Sequence, residues 1–483
     1  MQASDPDVHL PACPLTLVAQ RVDGSIIGSP DMAVSGITHD STSVRDGWLF
    51  ACIRGASVDG HRYANAAVKA GASALLVDHH LDIDVPQIVV DDVRSVVGHG
   101  AAEIYGNPSL KLKVLGVTGT NGKTSVVHLI SDILRSTGAT VETIGTLSGG
   151  RTTPEGSDLQ RNLALWAQQD VQYVAMEVSS HALDLHRVAG TRFAAAVFTN
   201  LGIDHLDFHQ DMEAYFDAKA KLFTPLYTDM AVVNVDDQYG RKLLERIELL
   251  DGIEATAYGQ FDVDDVVLGA GQSSWTWNGR QVSMPLVGSH NVINAVGAAK
   301  TVSALGFDSD DIIGGLATAS PVRGRFETVD SGQPFLVAVD YAHTPDALQA
   351  LSDAGREVAA GRVILVFGCG GDRDKDKRPE MGSVASQSAD FVVVTSDNPR
   401  SESPEAIIDQ VVSGIDGTRL DHCVVDADRR AAIGIALGMA DRGDIVLIAG
   451  KGHETTQVVG DETLEFDDVL VVEEILSNLK ANR

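Results

Sequence analysis

Residues 116–125 read GVTGTNGKTS, and this stretch decides which fold the chain is expected to adopt. The common phosphate-binding loop has a glycine four residues before Gly-Lys-Ser/Thr, and here that position holds Val117 rather than Gly116. The flanks still predict a phosphate loop. VLGV (114–117) is typical of a buried strand, and TSVVHLISDILRS (124–136) has apolar residues at helical spacing. A glycine-rich loop between a strand and a helix can bind an anion through backbone N–H groups at the helix start.

The residue types in this loop suit a nucleoside triphosphate bound with magnesium. Gly119 and Gly122 allow the backbone to turn its N–H groups inward, Lys123 can reach the β- and γ-phosphates, and the Thr124 hydroxyl can bind Mg²⁺. A structural turn is the alternative, but the strand context and the Gly-Lys-Thr sequence favour a nucleotide site. The predicted ATP-binding residues of the loop are Gly119, Thr120, Asn121, Gly122, Lys123 and Thr124.

Strand-like apolar runs alternate with helical patterns along the chain, which predicts α/β domains with parallel sheets covered on both faces. The runs are WLFACI (48–53), ALLVD (74–78), QIVV (87–90), VLGV (114–117), YVAMEV (173–178), AAAVFT (194–199), AVVNV (231–235), LVAVDY (336–341), VILVFG (363–368), FVVVTS (391–396) and DIVLIAG (444–450). A further helix is expected near 63–70. Turn chemistry at Tyr105-Gly106-Asn107-Pro108 and a proline at Pro321 mark the junctions. The predicted domains are 1–106, 107–321 and 322–483.

The overall composition of the 483 residues, with 44% hydrophobic and 22% charged residues, is that of an ordinary globular protein. No apolar run reaches the roughly 20 residues of a membrane span, and the N-terminus lacks a signal-peptide pattern. The four cysteines stand far apart, as expected for reduced thiols in the cytosol. A net charge of −30 argues against nucleic acid as a partner, although phosphorylated small molecules can still bind through local cations. We expect a cytoplasmic protein with no membrane span, and a monomer.

The loop GTNGKT (119–124) resembles that of the Mur ligase superfamily, which also contains the folylpolyglutamate synthetases and has the same departure from the usual glycine spacing. Similar motifs follow in the family's order over nearly all of the chain. They are EVSSHAL (177–183), FTNLGIDHLDFH (198–209), AKAKLF (218–223), GSHNVINAVGAA (288–299), GRFE (324–327), DYAHTPDAL (340–348), FGCGGDRDKDKRPEMG (367–382), SDNPR (396–400) and GKGHE (450–454).

The resemblance implies three α/β domains with separate tasks. These are a small N-terminal domain that binds a UDP-muramyl substrate, a central P-loop ATPase-like parallel-sheet domain, and a C-terminal Rossmann-like domain that binds an amino acid. The implied reaction uses ATP to form an amide between the D-glutamate γ-carboxylate of UDP-N-acetylmuramoyl-L-alanyl-D-glutamate and meso-diaminopimelate, through an acyl phosphate, in peptidoglycan precursor synthesis.

Four residues are expected to hold Mg²⁺ by resemblance. Glu177 ends an apolar strand and His205 follows another strand, although a strand-end glutamate or a single histidine is more often structural. The family's matching lysine, here Lys219, carries a carbamate (N6-carboxylysine) that converts a cation into an anion. A surface lysine is the alternative. The implied metal ligands are Thr124, Glu177, His205 and carbamylated Lys219, and the implied catalytic residues are Lys123, Lys219, Glu177 and His205.

The remaining nucleotide and UDP-muramyl contacts also come from the resemblance. For each nucleotide residue taken singly, a cap, a turn or a core hydrogen bond is an equal alternative. Further ATP-binding residues are Asn291, Asn294, Arg325, Asp340 and His343. Implied contacts to the UDP-muramyl peptide are His39, Ser41, Ala56, Ser57, Val58, Thr152, Thr153, Ser179 and Arg187.

The last domain indicates which amino acid is added. Asp397-Asn398-Pro399-Arg400 resembles the signature of diaminopimelate-adding enzymes, whose lysine-adding relatives lack this arginine. The chemistry agrees, because a guanidinium can bind the distal carboxylate of diaminopimelate in bidentate fashion, and lysine has no such carboxylate. A solvent-exposed arginine after a turn is the alternative. The implied diaminopimelate-binding residues are Arg373, Asp397, Asn398, Pro399, Arg400, Gly450 and Glu454.

Two other functions share part of this pattern. A folylpolyglutamate synthetase would share the phosphate loop and the lysine without needing the first domain or the DNPR signature. A non-catalytic P-loop ATPase switch would hydrolyse nucleotide to drive partner binding and would need no lysine carbamate.

Overall fold

The structure, a computed structural model, describes residues 8–55, 58–269 and 271–481, which form two compact units. One unit takes the described residues within Met1–Gly119, Thr137–Thr199 and Glu213–Ala257. The other takes those within Thr120–Ser136, Asn200–Met212 and Tyr258–Arg483. No helix in the described ranges is long and apolar enough to cross a membrane.

A five-stranded sheet organises the N-terminal region. The elements are β1 (Cys13–Pro14), α1 (Leu15–Arg21), β2 (Ser25–Ile27), β3 (Ala33–Val34), β4 (Gly36–Thr38), β5 (Trp48–Ala51), α2 (Ala64–Lys69), β6 (Ala72–Val77), β7 (Gln87–Val89) and α3 (Val93–Ile104), with 3-10 turns at Gly60–Tyr63 and Pro108–Leu110. The sheet order is β2-β7-β6-β5-β4, and β1 pairs with β3. β5 and β6 pair in parallel inside the sheet, where both faces are covered, and the sequence of each strand is therefore a continuous apolar run. Asp92 starts α3 by accepting the N–H groups of Arg94 and Ser95.

A six-stranded sheet organises the central region. The elements are β8 (Lys113–Thr118), α4 (Lys123–Ser136), β9 (Val141–Ile144), α5 (Gly156–Gln168), β10 (Tyr173–Glu177), α6 (Ser180–Asp184), β11 (Phe193–Phe198), α7 (Leu206–His209), α8 (Met212–Ala220), β12 (Met230–Asn234), α9 (Gln238–Glu248), β13 (Glu254–Tyr258), β14 (Asp264–Leu268), β15 (Ser273–Trp277), β16 (Arg280–Met284), α10 (Ser289–Ala304) and α11 (Ser309–Ala317), with 3-10 turns at Thr146–Ser148 and Gln260–Asp262. The large sheet has the order β13-β12-β11-β8-β10-β9, and β14, β15 and β16 form a small antiparallel sheet.

A second six-stranded sheet organises the C-terminal region. The elements are β17 (Glu327–Thr328), β18 (Leu336–Val339), α12 (Pro345–Val358), β19 (Val363–Phe367), α13 (Lys377–Ser388), β20 (Phe391–Val394), α14 (Pro404–Val412), β21 (Cys423–Val425), α15 (Arg429–Met439), β22 (Ile445–Ile448), β23 (Thr456–Val459), β24 (Glu462–Glu465) and α16 (Asp468–Ala481), with a 3-10 turn at Gly417–His422. The sheet order is β17-β18-β22-β19-β20-β21, and β23 and β24 form a hairpin. Helices cover both faces of the sheet, and each face has its own apolar cluster.

The strand order of the central sheet gathers three strand ends. β8 lies between β10 and β11 and is parallel to both. In this register Glu177 is opposite Val117, and Phe198 is opposite Thr118. The end of β8, where the phosphate loop begins, is therefore flanked by the ends of its two neighbours. This is the edge of an open α/β sheet at which ligands bind.

The predicted fold class, α/β with parallel sheets in several domains, is confirmed. Each strand-like run contains a strand, and the predicted helices correspond to α2 and α4. The antiparallel sheet of β14 to β16 was not predicted. The boundaries of the three domains stay a prediction.

Candidate active site

The phosphate loop is held by the segment that follows β11. The Asn200 carbonyl accepts the Thr120 N–H at 2.9 Å, and its side-chain Oδ1 accepts the Asn121 N–H at 2.9 Å. The Gly202 N–H donates to Thr120 Oγ1 at 3.0 Å. Lys123 extends back over the loop, and its Nζ donates to the Thr120 carbonyl oxygen at 2.7 Å. The predicted loop residues are thus brought together by Asn200, which the sequence had not singled out.

Gly122 is required by the shape of this loop. Its φ of +83° lies in the left-handed region, and a Cβ built on it would lie 2.5 Å from Asn294 Oδ1. The structure therefore places Asn294, a predicted ATP-binding residue on α10, directly against the loop. The Asn294 side chain is buried, which leaves its amide little room to move. Only glycine both adopts this left-handed φ without strain and leaves room for the Asn294 side chain.

Arg325 supplies a second cation beside the loop. Its Nη2 donates to Thr124 Oγ1 at 3.2 Å, and its guanidinium carbon lies 4.7 Å from the centre of the Tyr341 ring. The buried Nε of Arg325 has no hydrogen-bond partner among the described residues. A buried donor without a partner costs free energy, so this atom suits an anionic ligand such as a phosphate.

The segment after β11 also carries charged groups that act on one another. Burial raises the pKa of the Asp204 carboxyl, but His205, His343, Lys123 and Lys377 outweigh burial and hold that pKa below its ordinary value. His205 is exposed, has a φ of +55°, and lies 3.4 Å from Asp204 between Nε2 and Oδ2. Burial and the charge of Lys377 lower the pKa of His343, so its ring is neutral near pH 7. Near pH 7 the positive charge close to this carboxylate therefore comes from Lys123 and Lys377, which suit a polyanionic ligand.

Two other predicted ATP residues have internal hydrogen bonds. The buried Asn291 donates from its amide to the Val287 carbonyl at 2.8 Å. The Asp340 carboxylate accepts the backbone N–H groups of Phe326 and Ala342, each at 2.7 Å. The bond from the Phe326 N–H to Asp340 fixes the backbone next to Arg325. A direct contact of either residue with ATP remains a prediction.

In the other unit, Glu177 is a buried carboxylate at the end of β10, with 1% exposure. Its Oε1 accepts the Thr146 N–H at 2.9 Å, and its Oε2 accepts the Thr146 hydroxyl at 3.3 Å. A Cβ on Gly145 would lie 2.4 Å from Oε1, so the chain passes close to this oxygen. A buried carboxylate needs hydrogen bonds or a cation, and this one suits a metal ligand.

Lys219 and Lys221 lie on the same segment and have opposite surroundings. Lys219 is 1% exposed, its Nζ donates to the Gly119 carbonyl at 2.9 Å, and this Nζ lies 4.4 Å from the centre of the Tyr215 ring. The Lys221 side chain is 48% exposed and pairs with Asp184. A buried ammonium is costly, whereas a surface lysine is not. Lys219 is thus buried against the first residue of the phosphate loop, which excludes the alternative of a surface lysine.

A cavity of about 410 Å³ lies in the N-terminal region, and one of the residues predicted to contact the UDP-muramyl peptide is at its wall. His39 lines it, and its Nδ1 lies 3.0 Å from Ser157 Oγ on α5. Arg45 and Arg161 also line the cavity, and their guanidinium groups lie 5.3 Å and 5.7 Å from the Trp48 ring centre. Of the other predicted contacts, Ser41 is partly exposed, Val58 is exposed, and Ala56 and Ser57 lie outside the described residues.

The residues predicted to bind the muramyl peptide meet at the end of β10. Thr153 Oγ1 donates to the Glu177 carbonyl at 2.9 Å and accepts the Ser179 N–H at 3.1 Å. Thr152 Oγ1 lies 3.3 Å from Thr146 Oγ1. Arg187 donates from Nη1 to the Thr153 carbonyl at 3.4 Å. The structure therefore gathers Thr152, Thr153, Ser179 and Arg187 next to Glu177.

Glu155 binds three arginines in this region. Arg187 Nε is 3.0 Å from its Oε1, Arg94 Nη1 is 3.7 Å from its Oε2, and Arg151 also contacts it. Burial lowers the pKa of Arg187, while the charge of Glu155 raises it. One carboxylate beside three guanidinium groups leaves an excess of positive charge, which suits a diphosphate or a carboxylate ligand. The sequence did not predict Arg94 and Arg151 as site residues, because only the fold brings them next to Glu155 and Arg187.

The C-terminal motifs DNPR and GKGHE form one cluster. Asn398 Nδ2 donates to Glu454 Oε2 at 2.7 Å, and the buried Lys451 lies 3.1 Å from the same oxygen. Burial raises the pKa of Asp397, although Arg429 and Lys451 oppose this effect. A Cβ on Gly450 would lie 2.5 Å from Asp397 Oδ2. The predicted residues Asp397, Asn398, Gly450 and Glu454 therefore lie together.

Arg400 is held in a defined position. It has a φ of +52°, and its Nη1 donates to the Gly371 carbonyl at 2.6 Å. The Pro399 carbonyl accepts the Glu402 N–H at 3.0 Å, which closes the turn. Arg373 lies on the adjoining loop and is exposed. The contact with Gly371 brings the loops of Arg373 and Arg400 together and excludes a freely solvated Arg400.

Arg378 and Glu402 connect the same two loops and were not predicted. Arg378 is fully buried, and its Nη1 and Nη2 donate to Glu402 at 3.0 and 2.9 Å. Glu402 also accepts the Asp372 N–H at 2.7 Å. A two-point guanidinium–carboxylate pair fixes orientation as well as distance. The motif GGDRDKDKR contains this arginine, but nothing in its spacing distinguishes it from its charged neighbours.

The fold and the glycine-rich loop define an α/β enzyme that binds a phosphate-bearing ligand. Comparison with known proteins narrows this class. Three stretches of the chain match protein-family models. Residues 33–115 match the "Mur ligase family, catalytic domain", residues 117–302 the "Mur ligase middle domain" and residues 324–452 the "Mur ligase, glutamate ligase domain".

Two curated relatives and one solved structure match over almost the whole chain. A protein of Caldanaerobacter subterraneus subsp. tengcongensis is 41% identical over 94% of this chain and 97% of its own. One of Streptomyces avermitilis is 43% identical over 97% of each. Both are named UDP-N-acetylmuramoyl-L-alanyl-D-glutamate–2,6-diaminopimelate ligase. A solved structure of a ligase with this name is 31% identical, covers 94% of this chain and 97% of its own, and has a TM-score of 0.68. The chain belongs to the Mur ligase family.

Proposed function

We propose that this chain is an ATP-dependent ligase that joins meso-2,6-diaminopimelate to the D-glutamate γ-carboxylate of UDP-N-acetylmuramoyl-L-alanyl-D-glutamate. The observation that carries the proposal is the C-terminal cluster in which Asn398, Glu454 and Lys451 are bonded together beside Arg400. The relatives are named for this reaction, and their names support it. A cytoplasmic location and a monomeric state belong to the proposal, and light scattering tests the latter.

The reaction needs ATP because a carboxylate is a poor electrophile. An oxygen of the γ-carboxylate attacks the γ-phosphorus of ATP, the bond to ADP breaks, and an acyl phosphate forms. The diaminopimelate amine then attacks the acyl carbon, loses a proton, and displaces inorganic phosphate. Lys123 and Arg325 are proposed to bind and neutralise the phosphates, which lowers the repulsion between the two anionic reactants. The unpartnered Nε of Arg325 supports this role.

Magnesium is proposed as the cofactor, with Thr124, Glu177, His205 and Lys219 as the residues that would hold it. The residue types support this, because Mg²⁺ accepts hydroxyl, carboxylate and carbamate oxygens as ligands, and Glu177 and Lys219 are each buried. Bound Mg²⁺ would neutralise phosphate charge. Burial of Lys219 supports the carbamate, because burial disfavours the ammonium relative to the neutral amine, the form that adds CO₂ and releases a proton, and bound Mg²⁺ would offset the charge of the carbamate anion.

The amino-acid specificity is proposed to come from Arg400 together with Arg373, as binders of carboxylate. Diaminopimelate has a second carboxylate at its far end, and lysine has a hydrogen there. A guanidinium fixed by the Gly371 carbonyl is already oriented for a two-point contact, so little side-chain entropy is lost on binding. Gly450 and Glu454 are proposed to bind the distal ammonium and its surroundings.

An amino-acid panel tests the proposal directly. Phosphate release is measured with ATP, Mg²⁺ and the UDP-muramyl dipeptide, and with meso-diaminopimelate, lysine or ornithine as the amine. We expect turnover with diaminopimelate and little with the other two, and the product should gain the mass of one diaminopimelate residue. Phosphate release without the muramyl dipeptide would indicate an ATPase switch. Turnover only with a folate and glutamate would indicate a folylpolyglutamate synthetase.

A further inference from the structure

A cluster of two histidines and one aspartate lies in the N-terminal region and has no part in the reaction above. His61 begins the segment after the loop 54–60, while Asp78 and His79 follow directly after β6. One donor atom of each residue lies within 4.8 Å of the donor atoms of the other two. We propose that His61, Asp78 and His79 form a binding site for a divalent transition-metal ion, with Zn²⁺ as the best-suited ion.

The distance between His61 and Asp78 agrees with tetrahedral coordination. His61 Nε2 is 3.2 Å from Asp78 Oδ1, and His79 Nδ1 contacts the same oxygen. Ligand atoms of a tetrahedral zinc site with bonds of about 2.05 Å are separated by roughly 3.3 Å. The His61 and His79 rings are stacked, with centres 4.7 Å apart. Small movements of His79 would therefore bring all three donors to one ion.

A carboxylate orients the buried histidine for this role. Asp59 Oδ1 is 2.7 Å from His61 Nδ1 and accepts the His61 backbone N–H at 3.0 Å. The Asp78 N–H donates to His61 Nε2 at 3.3 Å, which assigns the ring proton to Nδ1, and a metal ion would replace this long hydrogen bond at the Nε2 lone pair. A carboxylate behind the outer nitrogen of a metal-binding histidine is the usual arrangement at zinc sites.

The surroundings leave room for an ion and for a fourth ligand. Arg54 binds Asp78 at two points, from Nε to Oδ2 at 2.5 Å and from Nη2 to Oδ1 at 3.2 Å, so an ion at Oδ1 would replace the longer of these contacts. The Arg54 side chain is 62% exposed and can move into solvent. The His61 side chain is 5% exposed and that of His79 is 50% exposed, so water can complete the coordination from the open side. Two imidazoles with one carboxylate favour Zn²⁺ over Mg²⁺.

Cobalt binding to the full-length protein, purified without a polyhistidine tag, tests the site. With excess Mg²⁺ present to occupy oxygen-rich sites, Co²⁺ at two imidazoles and a carboxylate should produce the intense visible bands of tetrahedral cobalt. Zn²⁺ should then displace it, and competition with a chromophoric chelator gives the Zn²⁺ affinity. We expect His79→Ala to raise Kd at least about tenfold and Asp59→Ala to raise it about 10- to 100-fold.

His80→Ala is the matched control, because His80 is the next residue, is also exposed, and is not in the cluster. Its Kd should equal that of the unmodified protein. Equal Kd values for His79→Ala and His80→Ala, or the absence of tetrahedral cobalt bands, would overturn the proposal. Zn²⁺ binding is measured without substrates, so this test and the amino-acid panel can fail independently.

Discussion

Replacement of Gly122 by alanine should damage the phosphate loop, and the structure separates two contributions to the damage. Alanine at a φ of +83° costs about 1–2 kcal/mol of backbone strain. The new Cβ would also lie 2.5 Å from Asn294 Oδ1, and overpacking of this kind costs about 1–3 kcal/mol. The sum is about 2–5 kcal/mol, unless the loop moves away from Asn294.

Movement of the loop would relieve the collision in the free protein and transfer its cost to nucleotide binding. The loop N–H groups must return to their original positions to bind phosphate, so the 1–3 kcal/mol reappears as weaker binding by about 5- to 150-fold. Nucleotide affinity measured by titration calorimetry, together with the free energy of unfolding from denaturant titration, records both contributions.

Gly138→Ala is the matched control, because Gly138 has a φ of +87° and a Cβ built there has no heavy atom within 4 Å. It should lose about 1–2 kcal/mol of stability through strain alone and keep its nucleotide affinity. Gly122→Ala should weaken nucleotide binding less when it is made in an Asn294→Ala background than when it is made in the unmodified protein. If Gly122→Ala binds nucleotide as tightly as Gly138→Ala, the argument from the Asn294 contact is wrong.

Three further outcomes are expected. Lys219→Ala should abolish turnover, with partial recovery when short-chain carboxylic acids are added, whereas Lys221→Ala should retain activity because that side chain is 48% exposed; full activity of Lys219→Ala would refute the role. Arg400→Lys should raise KM for diaminopimelate about 10-fold or more and leave KM for ATP unchanged, since it loses a two-point contact; unchanged amino-acid kinetics would count against the assignment. Burial raises the pKa of Asp444, but hydrogen bonds from Arg362 and the Asp441 N–H outweigh burial and keep this pKa below its ordinary value. Ionised Asp444 therefore stabilises the fold above about pH 4, and this contribution is lost as the pH falls further. Between neutral and acid pH, the free energy of unfolding should fall by about 1–2 kcal/mol less in Asp444→Asn than in the unmodified protein.

The parallel sheets were predictable because both of their faces are covered, which forces their strands to be apolar throughout. The antiparallel sheet of β14 to β16 has one face exposed and carries polar residues, so no apolar run indicates it. A local signal was nevertheless present. Asn278-Gly279 has φ values of +49° and +72°, the conformation of a hairpin turn in which both central residues are left-handed, and this dipeptide favours that turn.

Prediction of the site was limited by what spacing can encode. The segment DAKAKLF contains Lys219 and Lys221, and no periodicity decides which of them is buried; the family resemblance selected Lys219, and the structure buries it. The three arginines at Glu155 come from separate segments and meet only after folding. The contact of His39 with Ser157 likewise joins residues 118 positions apart.

The position of Trp48 near two guanidinium groups gives the N-terminal cavity an intrinsic optical reporter. Trp275 and Trp277 are buried in the small antiparallel sheet and should emit steadily, and Trp166 on α5 is not among the residues that line the cavity. Trp48 does line it, beside Arg45 and Arg161. A nucleotide that entered the cavity would displace water from this indole and change its emission. Occupancy of the cavity could therefore be followed by fluorescence, without a label and without catalysis.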